Sequence, residues 1–189
     1  MPRVNVLGFI AGALILYLVF FDAPWWTLSA GEALSLQLSP FNISVVMLNS
    51  PVEAPIIYYI TLAAKLVALA AAIAFFVSSA AGSKEWSRRV MGFAWTKMPG
   101  IVIGLVVVLA IISYGAAFLE QYLPVTTSYF IPLMGQGFFS ISFDSYSISA
   151  TVSTSFTQNF ILAAIAAALS IAARLYHGRM EIEKAWRWE

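Results

Sequence analysis

Four stretches of this chain run for about the thickness of a bilayer with almost no charge, and no other feature limits its fold so severely. A crossing helix needs about 20 apolar residues for a hydrocarbon core of about 30 Å. The stretches are residues 4–21, between Arg3 and Asp22; residues 56–81, interrupted only by Lys65; residues 99–119, between Lys97 and Glu120; and residues 155–175. Lipid offers no partner to bare backbone N–H and C=O groups, so each must be a helix. Composition agrees: 61% of the 189 residues are hydrophobic and 10% charged, where soluble domains carry about 25% charged residues. So few charges cannot cover a core with a wetted surface, which excludes a soluble globular enzyme. A disordered chain needs the opposite composition. The first stretch has 18 residues, longer than the roughly 7–15 of a signal-peptide core, and reads as an uncleaved helix. The expected fold class is a mainly α integral membrane protein with a bundle of four transmembrane helices.

The basic residues orient it. Arg3 precedes the first stretch, Lys84, Arg88, Arg89 and Lys97 lie between the second and third, and Arg174 ends the fourth, with Arg179, Lys184 and Arg187 following it. The two other connections hold no Lys or Arg and carry Asp22, Glu32, Glu53, Glu120 and Asp144. Lys and Arg accumulate in cytoplasmic loops. The expectation is a multi-pass cell-membrane protein with both termini cytoplasmic and two long loops, 22–54 and 120–154, outside.

Those loops are too long to be plain connections, and they alternate. Leu34, Leu36 and Leu38 interleave with Ser35, Gln37 and Ser39, and after Ser39-Pro40 the phase shifts to Phe41, Ile43, Val45 and Met47. Phe139, Ile141 and Phe143 alternate with serines, and after Asp144-Ser145 the phase shifts to Tyr146, Ile148, Ala150 and Val152. Period two marks a half-buried strand. The pattern predicts hairpins at about residues 33–48 and 137–152, with Phe143 opposite Tyr146, Ile141 opposite Ile148 and Leu36 opposite Ile43. An isolated hairpin is marginal in water, so the two are expected to join in an extracytoplasmic β-cap over a single membrane domain. The layout, helix–hairpin–helix on each side of a basic link (82–98), is that of an internal repeat or of topology alone.

Few residues invite chemistry. The chain has no cysteine, which removes disulfides, thiolate metal sites and cysteine nucleophiles. It has one histidine, His177, read as a solvated or headgroup-level imidazole. No P-loop, dinucleotide fingerprint or nucleophile elbow occurs. No catalytic, cofactor or metal site and no nucleic-acid partner is expected. Lys65 is the one charge in the interior of a stretch, Arg174 standing at the very end of the fourth, and it lies about 15 Å along its helix. It snorkels or pairs with Asp22 or Glu120, or it serves an ion, proton or substrate path. Gly8 with Gly12, and Gly100 with Gly104, form small-xxx-small pairs that let helices approach closely. Trp25 and Trp26 stand in an aromatic belt with Tyr58, Tyr59, Tyr114 and Tyr122, seed the cap or meet a partner, and Trp86, Trp95, Trp186 and Trp188 lie at the opposite ends. Asn42-Ile43-Ser44 matches a glycosylation acceptor inside a predicted strand. Residues 83–98, basic and carrying Trp86, Phe93 and Trp95, read as a helix at anionic headgroups or a docking segment.

Four spans, both termini inside, strands in both outer loops and the early pair Trp25-Trp26 resemble the claudin and peripheral-myelin-protein (PMP22) architecture. The cysteine-bearing signature of that group is absent. The resemblance implies cell adhesion or lateral assembly through the outer sheet. The functional expectation is a non-enzymatic membrane protein, an assembly, adhesion or accessory subunit, partnered by lipid and by other membrane subunits or its own copies. The alternative is a small oligomeric transporter or channel, or an accessory subunit of a respiratory or redox complex.

Overall fold

The computed structural model describes residues 4–52, 54–81, 84–119, 126–143 and 146–185. Arg3, Glu53, Ser83, Glu120, Tyr122, the Asp144-Ser145 turn, Trp186, Arg187 and Trp188 lie outside them. Five helices and seven strands follow in the order α1 (Val6–Phe21), β1 (Trp26–Ala30), β2 (Leu34–Leu38), β3 (Ile43–Met47), β4 (Ser50–Pro51), α2 (Pro55–Ala80), α3 (Glu85–Ala94), α4 (Lys97–Leu119), β5 (Thr126–Phe130), β6 (Gly135–Phe143), β7 (Tyr146–Phe156) and α5 (Gln158–Ala185).

Among the described residues, three apolar helical segments are long enough to cross a membrane: Pro55–Ala80, Glu85–Tyr114 and Gln158–Arg179. The first stretch forms a shorter apolar helix of 16 residues, about 24 Å long. Asn5 is the reason. Its side chain accepts from Gly8 N at 3.1 Å, so it caps the helix and delays its start. At the far end Asp22 takes a left-handed φ of 49°, which Asp tolerates better than most residues. α1 packs between α2 and α5, while α4 lies against α5 and touches α2 less. α5 continues into the charged tail as far as Ala185.

Both long loops fold into one antiparallel sheet with strand order β4-β3-β2-β1-β7-β6-β5. The join is β1 against β7, with Thr27 opposite Ser155. The second hairpin has the expected register, Phe143 with Tyr146 and Ile141 with Ile148. The first does not: Leu36 faces Val45, and Leu38 faces Ile43. Its loop is four residues, not two, because Ser39 Oγ accepts from Phe41 N at 3.2 Å and Asn42 N at 2.8 Å and so builds a wider turn. Three strands escaped the alternation. β1 hides inside the run after the tryptophans, β4 has two residues, and β5 precedes the Pro132 segment. The last strand reaches Phe156, so Ser155 and Phe156 belong to the sheet, not to the fourth helix.

Candidate functional site

Three groups of residues gather what polar chemistry this apolar chain has. The first is the sheet. Residues paired across strands share a face, so the rows Ile43–Leu38–Trp26–Phe156 and Val45–Leu36–Leu28–Thr154 form one face. The segment 131–134 folds over that face: Trp26 Nε1 donates to Leu133 O at 2.8 Å, and Thr154 Oγ1 donates to Pro132 O at 2.9 Å. A Cβ on Gly137 would run into Phe130 O and Pro132 Cδ, so only glycine lets the segment pass this close.

The opposite face carries the rows Ser44–Gln37–Thr27–Ser155 and Ser35–Ser29–Ser153–Gln136. Thr27 and Ser155 hydroxyls meet at 3.0 Å, and Ser29, Gln37, Gln136, Thr151, Ser153 and Ser155 are exposed. No described residue on these rows is charged. Phe130 and Phe138 sit side by side on it, ring centroids 6.5 Å apart. β1 pairs with β7 only over Ser153–Phe156. From Tyr146 to Val152, β7 therefore has β6 on one side and no strand among the described residues on the other.

The second group ties the sheet to the helices. Trp25 and Trp26 are 0% and 1% exposed, inside the chain and not on a contact surface. Trp25 meets Phe41 edge to face at 5.5 Å, its backbone joins Leu38 O and Thr157 N, and Thr157 Oγ1 donates to Pro24 O. Trp25 Nε1 has no partner among the described residues. Three residues before Trp25, at the end of α1, Asp22 Oδ2 accepts from Lys65 Nζ at 2.8 Å. Of the two carboxylates the sequence offered, Asp22 is the one Lys65 meets. Both side chains are about a third exposed, 31% and 32%. The pair sets the end of α1 against α2 ten residues past its start, so the first turns of α2 rise beyond α1 with Tyr58 and Tyr59 exposed.

The third group lies at the opposite helix ends and was missed in the sequence. Asn5 is fully buried. Its N donates to Ser79 O at 3.2 Å and its Nδ2 to Ala173 O at 2.9 Å, so one residue binds three helices. Ser87 of α3 donates Oγ–H to Ser78 O at 2.8 Å and lies 3.3 Å from His177 Nε2. A hydroxyl has one hydrogen, and Ser87 gives it to Ser78 O, so Ser87 Oγ faces the imidazole with its lone pairs. The histidine is 0% exposed, a junction between α3 and α5 where the sequence suggested a headgroup-level ring. The N-cap position of Asn5 before an apolar run was the signal available; nothing in the sequence announced Ser87 and His177 as neighbours.

The remaining candidates divide. Gly8 and Gly12 pack on α2: a Cβ at Gly12 would lie 3.2 Å from Ala72 O and 3.3 Å from Phe75 Cβ, and one at Gly8 would strike Ser79 Oγ. Gly100 and Gly104 face open space. Asn42 is exposed and lies in the turn before β3, not inside the strand. No group of three or more His, Asp or Glu with metal-holding geometry occurs among the described residues.

These features define a class: a mainly helical protein with apolar helices of membrane-crossing length and an antiparallel sheet. No family model, curated protein or solved structure matches the chain.

Proposed function

We propose that the chain is a four-span integral membrane protein that works by association, with both termini cytoplasmic and the sheet as a cap on the extracytoplasmic side. In this reading α1 is the fourth span, short because lipid at its ends meets polar junctions, Asn5 at one and Asp22–Lys65 at the other. The basic residues around α3 and the end of α5, against the Lys- and Arg-free loops of the sheet, support the orientation. The protein acts without catalysis, as an assembly, adhesion or accessory subunit, alone with its copies or beside other membrane proteins.

The observation that carries the reading is the sheet. Two separate loops are invested in one structure whose exposed rows carry no charge and whose strand β7 keeps an open edge over Tyr146–Val152, among the described residues. Soluble monomers guard such edges with charge or cover; here no described strand covers it, which suits pairing with another chain. The test is native mass measurement in mild detergent together with cross-linking in the native membrane through Ser153→Cys, the only thiol in the variant. A dimer, higher oligomer or defined hetero-complex, cross-linked through this face, is expected. A strictly monomeric chain with no cross-linked product contradicts the proposal.

A further inference from the structure

α3 is the one strongly two-sided helix among the described residues. Ser87, Met91 and Ala94 point inward and are buried. Trp86, Arg89 and Phe93 follow at helical spacing (i, i+3, i+7), one above the other along an outward edge. Trp86 is 43% and Phe93 46% exposed. Cations stand at both ends of this edge: Lys84 Nζ lies 6.0 Å from the Trp86 ring centre, and Lys97 Nζ lies 4.7 Å from that of Phe93. Lys84, Arg89 and Lys97 have no carboxylate partner among the described residues. Arg174, Arg179 and Lys184 of α5 add charge of the same sign at this end, against Glu85 on α3 and Glu181 and Glu183 on α5.

The height of α3 is fixed by its buried side. Ser87 binds Ser78 O near the end of α2, and the adjoining Ser79 O takes Asn5 N at the start of α1. α3 therefore sits where the apolar surface of the helices stops. Aromatic rings at that level fit the boundary of the acyl chains, and cations beside them reach the phosphates.

We infer that the Lys84–Trp86–Arg89–Phe93–Lys97 edge of α3 is a docking surface for anionic phospholipid headgroups of the adjoining leaflet. The inference rests on the membrane-spanning reading above and adds a lipid preference to it. Charge complementarity selects the occupant: an acidic headgroup neutralises three cations that have no carboxylate partner among the described residues, and its acyl chains meet Trp86 and Phe93.

The absence of cysteine gives a clean probe. Gly92→Cys places a single thiol on α3 where a Cβ meets nothing within 4 Å. The full chain, labelled there with a fluorophore, is reconstituted in phosphatidylcholine vesicles containing phosphatidylglycerol, with a doxyl quencher on one lipid or the other. Quenching by the anionic lipid is expected to exceed that by the neutral one by at least about twofold. It should fall to equality in Lys84→Gln/Arg89→Gln/Lys97→Gln, and likewise at about 0.5 M salt, which screens exposed charges without any substitution. Equal quenching in the unsubstituted chain at low salt overturns the inference. So does a label that neither lipid quenches in a chain that floats with the vesicles, which leaves the spanning reading intact. A chain that does not float contradicts the spanning reading itself and removes this surface with it.

Discussion

α1 and α4 carry the same spacing of small residues, Gly8 with Gly12 and Gly100 with Gly104, in opposite surroundings. The first pair is pressed against Ala72, Phe75 and Ser79 of α2, while the second faces open space on a helix that packs lightly on α5. The sheet shows the same inequality. β1, the first strand after α1, lies at the centre of the strand order, and its counterpart after α4, β5, lies at the edge. The halves repeat an order of elements without repeating its geometry. A small-residue spacing tells how closely a helix can be approached, but not by what; in the first half the partner is the chain itself.

Filling both glycine pairs separates the two halves most directly. Gly12→Leu is expected to have the largest effect, a loss of about 3 kcal/mol, because backbone as well as side chain blocks the added volume. Denaturant unfolding in detergent measures it. A tolerated Gly12→Leu would mean that α1 and α2 are not held this closely.

The ion pair that binds the same two helices comes next. Lys65→Met strands the Asp22 carboxylate and is expected to cost about 1–2 kcal/mol, held down by the partial exposure of both groups. Lys65→Met/Asp22→Asn should recover part of it, since Asn suits the left-handed backbone at this cap. A double variant that unfolds as readily as the single one would show that the pair does not couple α1 to α2.

A smaller difference separates the tryptophans. Trp25→Phe and Trp26→Phe remove similar area, but only Trp26 gives up a hydrogen bond, the one to Leu133 O that joins the two halves. Trp26→Phe should be the more destabilising by about 1 kcal/mol, and equal thermal shifts would sink that assignment. The smallest effect on the fold is expected at Gly104→Val, within about 0.5 kcal/mol of the parent. If α4 meets another chain, the same substitution lowers the oligomeric fraction in native mass spectra. If it meets lipid alone, the spectra stay as they were.

Much of the fold was legible because lipid and strand pleat both leave simple patterns. Charge-free length marked the helices, and alternation marked β2, β3, β6 and β7. What alternation could not see was anything fixed by a contact far along the chain. β1 becomes a strand because β2 and β7 flank it, and β5 because β6 does. The register of the first hairpin failed on one hydroxyl, Ser39, which widened the turn. Lys65 was conspicuous as a lone charge in an apolar run, and its partner was among the two carboxylates named for it. The Ser87–His177 contact spans 90 positions, and neither residue has a neighbour in sequence that points to the other.

The account turns on β1 of one loop lying against β7 of the other, on the non-cytoplasmic face of a membrane. The most direct measurement is disulfide formation in Thr27→Cys/Ser155→Cys, whose parent hydroxyls lie 3.0 Å apart, within the separation a disulfide needs after small adjustment. In intact cells, mild oxidation should close the bond within single chains, and an impermeant thiol reagent added outside beforehand should prevent it. Thiols that stay free under oxidation, or that the reagent reaches only after lysis, would contradict the joined sheet in the first case and its placement in the second.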